Sequence, residues 1–343
     1  MVDVKDNRIH LTYMEKVKAR PAPEKTRPVR KRNPWIAVPV VGLAVMAACV
    51  IPSPGLETPS QGQGQTPLAA TASATAAPTR TATLEPSSTP TWTGTEILEA
   101  TLTTLPNYLL DAKGVPMAYV PQGAFAMGND RGSADEQPIH SVNLNAFYID
   151  KFEVTNGFYK ACVEAGPCPP VRKKNSATRS SYYDDSDFDT FPVIFIDWNM
   201  AQTYCEWRDA RLPTEGEWEK AARGGTNVTY PWGDTPDCNL ANYGNCLGDT
   251  SSATIYDLGQ SRYGNYNMAG NVGEWVSDWY ADDYYRSSPQ ENPQGPDTGK
   301  EKVWRGGSWN DDYAGMRSVN REAENPAYSS DTIGFRCAKD ATP

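Results

Sequence analysis

Histidine is nearly absent from this chain: of 343 residues, only His10 and His140 carry an imidazole. Three-histidine iron or zinc sites and two-histidine-one-carboxylate iron sites therefore lack their ligands. Serine hydrolase chemistry fails for a similar reason. No GxSxG turn occurs, and Ser308, which follows two glycines, would depend on one histidine for everything. The seven cysteines include no CxxC pair, which removes the usual zinc-finger spacing. A basic excess is missing too. With 32 Lys and Arg against 42 Asp and Glu the formal charge is −10, so no overall field draws in DNA or RNA, and nucleic acid is not an expected partner.

What is present falls into unlike segments. Residues 1–34 hold ten basic and four acidic side chains, a charge of +6 that leaves −16 for the remainder. Residues 35–51, WIAVPVVGLAVMAACVI, carry no charge and reach the short end of what spans a bilayer. The basic cluster Arg27–Arg32 directly before them puts the N-terminus in the cytoplasm by the positive-inside rule. The expectation is a basic cytoplasmic tail (1–34) and an uncleaved transmembrane signal anchor (35–51), single-pass in the cell membrane, with the C-terminal part extracytoplasmic. MAAC (46–49) faintly resembles a lipoprotein cleavage box at Cys49, but 34 residues are long for the leading part of a signal peptide. Residues 52–106 are Pro, Thr, Ser, Ala, Gln and Gly with five charges (Glu57, Arg80, Glu85, Glu96, Glu99). They lack the apolar surface to offset ordering entropy and read as a disordered stalk.

A folded domain is expected over 115–339, about 225 residues, a common size for a single core. VPMAYVPQGAFAMG (115–128) and HSVNLNAFYIDKFEV (140–154) alternate like strands. One helix starts at Thr155 as N-cap and stops at Gly166. A second is capped by Asp197 or Asn199 and runs through Trp207. A third opens on a Thr214/Glu217 capping box and ends at Gly224-Gly225. Beyond Gly225 the chain is rich in Gly, Asn, Asp and Trp, the composition of loops pinned by aromatics. Six cysteines lie in this domain, an even number that suggests disulfides outside the membrane. Cys162/Cys168 and Cys238/Cys246 are close in sequence, and Cys205 and Cys337 would close a long loop, but spacing alone does not select a pairing.

RLPTEGEWEKAARGG (211–225), YPWGD (230–234), YGNYNMAGNVGEWVSDWY (263–280), RGGSW (305–309) and GFRCA (334–338) occur in that order. This set resembles the formylglycine-generating enzyme (sulfatase-modifying factor) family over about 115–339. The resemblance implies an α+β, C-type lectin-like fold with low regular secondary structure, and a Cys205–Cys337 disulfide. It also implies copper(I) held by two cysteines shortly after the GGS motif, and oxidation of a substrate cysteine to formylglycine with oxygen. An ungapped count from Gly306-Gly307-Ser308 puts Asp311 and Met316 at those two positions, and a carboxylate and a thioether cannot supply a linear dithiolate. Copper is therefore not expected. The GNxWEW pattern of the family carries Gly273 in place of its first Trp. The ergothioneine-type sulfoxide synthases of the same superfamily need an iron domain and histidines that this chain lacks, and His140 matches a structural position.

The resemblance further implies structural calcium. Asn267, Gly270, Val272 and Glu274 match one family site, and Asn242, Tyr243, Asp249 and Ser251 a second; oxygen donors of this kind suit a hard cation. Between RGGSW and GFRC lie two runs, Asn310–Gly315 and Ala327–Thr332, whose residues can all be encoded by replacing adenines in an AAC codon. They resemble the variable region of diversity-generating-retroelement proteins. The expected function is binding of a protein or carbohydrate ligand by Trp309, Asn310, Asp311, Asp312, Tyr313, Arg317, Tyr328 and Asp331. There Tyr and Trp give rigid contact area and the acids orient a basic or hydroxyl-rich partner. The alternative is a formylglycine-generating oxidase or another sulfatase-modifying-type enzyme that activates target proteins.

Overall fold

The computed structural model describes residues 107–341 apart from Asn245, in one compact unit. The expected tail (1–34), anchor (35–51) and stalk (52–106) lie outside the described residues. Among the described residues no helix is long and apolar enough to cross a membrane.

Five short strands come first: β1 (Tyr108–Leu110), β2 (Pro116–Val120), β3 (Gly123–Met127), β4 (His140–Leu144) and β5 (Phe147–Asp150). Helices α1 (Asn156–Ala165), α2 (Trp198–Trp207) and α3 (Glu215–Arg223) follow. After a long irregular stretch come β6 (Gly273–Trp279), β7 (Lys302–Arg305), β8 (Arg321–Glu324), β9 (Ile333–Phe335) and β10 (Ala338–Asp340). This is the sparse α+β content expected from the sequence.

Each helix begins where its capping chemistry places it. Thr155 Oγ1 accepts from Phe158 N, and Gly166 ends α1 at φ +100°. Between the two candidates for α2, Asp197 is the cap, its Oδ1 accepting from Met200 N at 2.9 Å. In α3 the box is reciprocal: Glu217 N donates to Thr214 Oγ1, and Thr214 N donates to Glu217 Oε2. Each alternating segment of the sequence divides into two strands. β1 precedes the start expected at 115. It pairs antiparallel with β2, Tyr108 opposite Ala118, but its side chains are exposed or half-buried, so no alternation marks it.

The strands form a sheet in the order β1-β2-β5-β10, the hairpin β3-β4, and a sheet β8-β7-β6-β9 in which β6 and β9 run parallel. One core packs α1 and α2 against Trp275 and Phe335; the other packs Trp218 of α3 against β2–β5, Val276 and Val303. Full burial of a side chain such as Phe335 contributes about 1.5–3 kcal/mol. Three disulfides tie the loops, Cys162–Cys168, Cys205–Cys337 and Cys238–Cys246. Buried ion pairs do the rest: Arg208 forks onto Asp150 at 2.6 and 2.8 Å, and Arg336 onto Glu274 at 2.6 Å through both Nε and Nη2.

Candidate functional site

The loops after β7 are built on two glycines. Gly306 and Gly307 have φ of +94° and +64°, and a Cβ on Gly307 would lie 2.8 Å from Gly315 O, so the backbone folds back closely on itself there. Ser308 N and Oγ both donate to Asp311 Oδ2, at 2.8 and 2.6 Å. Asp312 Oδ1 accepts from Ala314 N at 2.8 Å. Trp309 is buried, and its Nε1 donates to Asp331 O at 3.0 Å, which joins the 310–315 run to the 327–332 run. Tyr230 OH donates to Tyr313 O at 2.8 Å, and Gly244 N to Asp311 O at 2.7 Å, so the disulfide loop 238–246 supports the same surface.

No residue of either run is buried, and Tyr313 and Tyr328 are 59% and 41% exposed. Asn310, Asp312, Tyr313 and Tyr328 face solvent. Asp311 is half-buried with its carboxylate turned inward, and Trp309 holds the loops together from below. Arg317 is drawn away from the surface: both its Nη atoms grip the fully buried Glu136, at 2.9 and 2.7 Å. Sequence reasoning missed Glu136, which sits in a short 3₁₀ turn before β4 with no motif around it. Next to Tyr313, Tyr230 stacks on Trp232 with centroids 5.4 Å apart.

The copper dithiolate does not fit. All six cysteines of the described residues are in disulfides, Met316 is fully buried, and Asp311 is committed to Ser308. Where the family pattern has a tryptophan, Gly273 leaves room for Trp304 of β7; a Cβ there would meet the Trp304 ring at 2.3 Å. His140 opens β4, with Nδ1 3.0 Å from Pro138 O and its ring 4.7 Å from Tyr285, a scaffold position.

The two calcium sets lie side by side, joined through Asn271. Ser251 N donates to Asn271 Oδ1 at 2.8 Å, Asn242 Nδ2 reaches the same oxygen at 3.3 Å, and Asn271 N donates to Asn242 O. Glu274, however, has both carboxylate oxygens on the Arg336 fork, and Oε2 also accepts from Trp218 Nε1 at 2.7 Å. Asp249 accepts from Ser176, Thr178 and Thr250. Burial alone would raise its carboxyl, but these hydrogen bonds outweigh it and hold the group below its ordinary range. Tyr243 is half-buried, and Gly270 and Val272 run past these side chains through backbone contacts. The carboxylate facing Asn267 is Glu153, which accepts from Asn267 Nδ2 at 2.8 Å and Asn271 Nδ2 at 3.0 Å. Burial, then the charge of Glu274, push Glu153 up to about 8. Two buried amide oxygens, Asn242 Oδ1 and Asn267 Oδ1, have no hydrogen-bond donor among the described residues. They are the atoms here suited to a hard cation; among the described residues no group of three His, Cys, Asp or Glu is arranged to hold a metal.

Residues 111–341 match the family described as "Sulfatase-modifying factor enzyme 1-like domain". The formylglycine-generating enzyme of Streptomyces coelicolor is 35% identical over 277 residues, which cover 65% of this chain and 88% of that enzyme. Serine/threonine-protein kinase pkn1 of Chlamydia caviae is 36% identical over 236 residues, 65% of this chain but only 38% of the kinase's length. Among solved structures, PvdO from Pseudomonas aeruginosa aligns with a TM-score of 0.60 at 25% identity, over 69% of this chain and all of that one.

Proposed function

The chain belongs to the sulfatase-modifying factor enzyme 1-like family, and from that premise we propose that it binds a protein or carbohydrate ligand through its C-terminal loops and does not oxidise a substrate cysteine. The observation that carries this reading is the donor set: the positions that the ungapped count from Gly306-Gly307-Ser308 assigns to the family's thiolates hold a half-buried carboxylate, Asp311, and a buried thioether, Met316. Soft copper(I) is not retained by such a pair. The exposed Tyr313 and Tyr328, backed by buried Trp309, supply rigid aromatic contact area on supported loops. Three disulfides favour an oxidising, extracytoplasmic setting, in keeping with the apolar segment at 35–51. Should calcium be held, the Asn242 and Asn267 oxygens are the donors we assign to it, with a structural role.

Tyr313→Ala and Tyr328→Ala in the full chain test the reading. Neither side chain is buried, so the unfolding free energy should stay within about 0.5 kcal/mol of wild type. Binding to a glycan array or to whole cells should weaken by about 2 kcal/mol where a tyrosine is an anchor. Binding that survives both substitutions would place the ligand elsewhere.

A further inference from the structure

A cleft of about 340 Å³ opens where the end of α3, the Gly128–Arg131 turn and the Asn227–Thr229 loop meet, with Arg131, Arg223 and Arg317 on its walls. Three guanidinium groups around one cleft are unexpected on a chain in which acids outnumber bases. Arg317 is saturated by Glu136, but Arg223 is not saturated by anything. Its side chain is 4% exposed, and both of its hydrogen bonds, to Gly128 O at 3.2 Å and Glu219 Oε1 at 2.7 Å, run through Nη1. Its Nε is buried with no partner among the described residues. The Nε–Nη2 edge left over is the edge with which arginine holds a carboxylate or phosphate in two parallel bonds.

Charge does not oppose the geometry. Glu219 is shared between Arg223 and Arg305, which also pairs with Glu215, so Arg223 has only part of one carboxylate. Asp130 also lines the cleft, but its Oδ1 accepts from Ile139 N at 2.8 Å. Arg131 stands exposed on the rim without an ion pair among the described residues. The three arginines on the walls (131, 223, 317) meet three carboxylates (Asp130, Glu136, Glu219), so the cleft carries no net negative charge to repel an anion. A buried cationic donor without an acceptor is costly, and an oxyanion is the group that satisfies it.

We propose that this cleft is an oxyanion subsite, in which a carboxylate or phosphate group of a ligand docks on the Nε–Nη2 edge of Arg223 and Arg131 closes over it. The site involves neither Tyr313 nor Tyr328 and does not rest on the ligand-binding reading of the loops.

Isothermal titration of the full chain with inorganic phosphate, and separately with acetate, tests it. Saturable binding of at least one anion is expected; the tighter of the two tells a phosphorylated from a carboxylate ligand. Arg131→Ala should weaken it about tenfold, the loss of one charge-assisted contact. Asn227→Asp, which adds a negative charge to an exposed rim side chain, should abolish it without moving the melting temperature. Arg223→Lys keeps the charge beside Glu219 but loses the fork, and should also lose binding while remaining folded. Failure of both anions to bind overturns the proposal, and so does binding that neither Arg131→Ala nor Asn227→Asp alters, which would mean an adventitious ion only.

Discussion

Glu274 is the residue for which the resemblance and the structure point to different partners. The family resemblance implies a calcium ligand; in the folded chain its carboxylate is held by Arg336 and by the Trp218 indole. Removing one partner of a buried pair costs about 3–5 kcal/mol, because the other charge is stranded. Glu274→Gln should therefore lower the melting temperature by the same amount in EDTA and in excess calcium. A loss seen only with calcium present would return Glu274 to the metal. Glu153 provides a pH signature. Raised from 4.5 to about 8, its carboxyl holds a proton more tightly in the folded chain than in the unfolded one. Its contribution to stability is thus present in acid and is lost as pH climbs from about 4.5 to about 8. Urea midpoints measured across that range should fall for the wild type, and Glu153→Gln should flatten the fall. A midpoint that rises with pH in the wild type and not in the variant would contradict the assignment. At the loop surface Asp311 is a turn former: losing its bonds to Ser308 N and Oγ in Asp311→Ala should cost about 1–3 kcal/mol. Of the two loop acids only Asp312 is exposed, so under the proposed reading it is the carboxylate left to meet a ligand.

At the scale of elements, the disulfide between Cys205 in α2 and Cys337 in the link from β9 to β10 spans 132 residues. Chain entropy gives about 4–5 kcal/mol for a loop of that length. Cys337→Ser should therefore lower the melting temperature of the full chain by far more than opening the Cys162–Cys168 loop does, and differential scanning calorimetry would register both. Equal, small effects would show that the long loop is already restrained without the bridge. The three helices were legible because their caps are local: Thr155, Asp197 and the Thr214/Glu217 box act within four residues of chain. The alternating segments 115–128 and 140–154 were legible for the same reason. The sheet β8-β7-β6-β9 was not, since its strands are brought together across long irregular loops and β6 pairs with β9 in parallel. Nor could a linear reading find that Trp304 lies over Gly273, because the space left by a missing ring is filled from a neighbouring strand. Within the candidate site, the exposed tyrosines lay in runs whose position between RGGSW and GFRC was readable, whereas the inward turn of Asp311 and the capture of Arg317 by Glu136 depend on partners distant in sequence or hidden in a turn.

Taken whole, the described part of the chain keeps the architecture of its family while its cysteines are spent on covalent ties. Family membership does not by itself fix the chemistry, since the activity of a family lives in a few side chains grafted on a shared frame. Sparse regular structure is offset by three disulfides and by arginine–carboxylate pairs buried between the layers, Arg208 with Asp150, Arg305 with Glu215 and Glu219, and Arg336 with Glu274. Among the described residues all six cysteines are in disulfides, which leaves no thiol there to hold copper. The direct measurement is to incubate the full chain with copper, oxygen and a peptide of the CxPxR type, and to read the peptide by mass spectrometry. The peptide cysteine should remain a thiol or disulfide, with no formylglycine mass. Formylglycine formed in proportion to the protein, and still formed after Tyr313→Ala and Tyr328→Ala, would contradict the binding reading and require a catalytic centre other than the one the family uses.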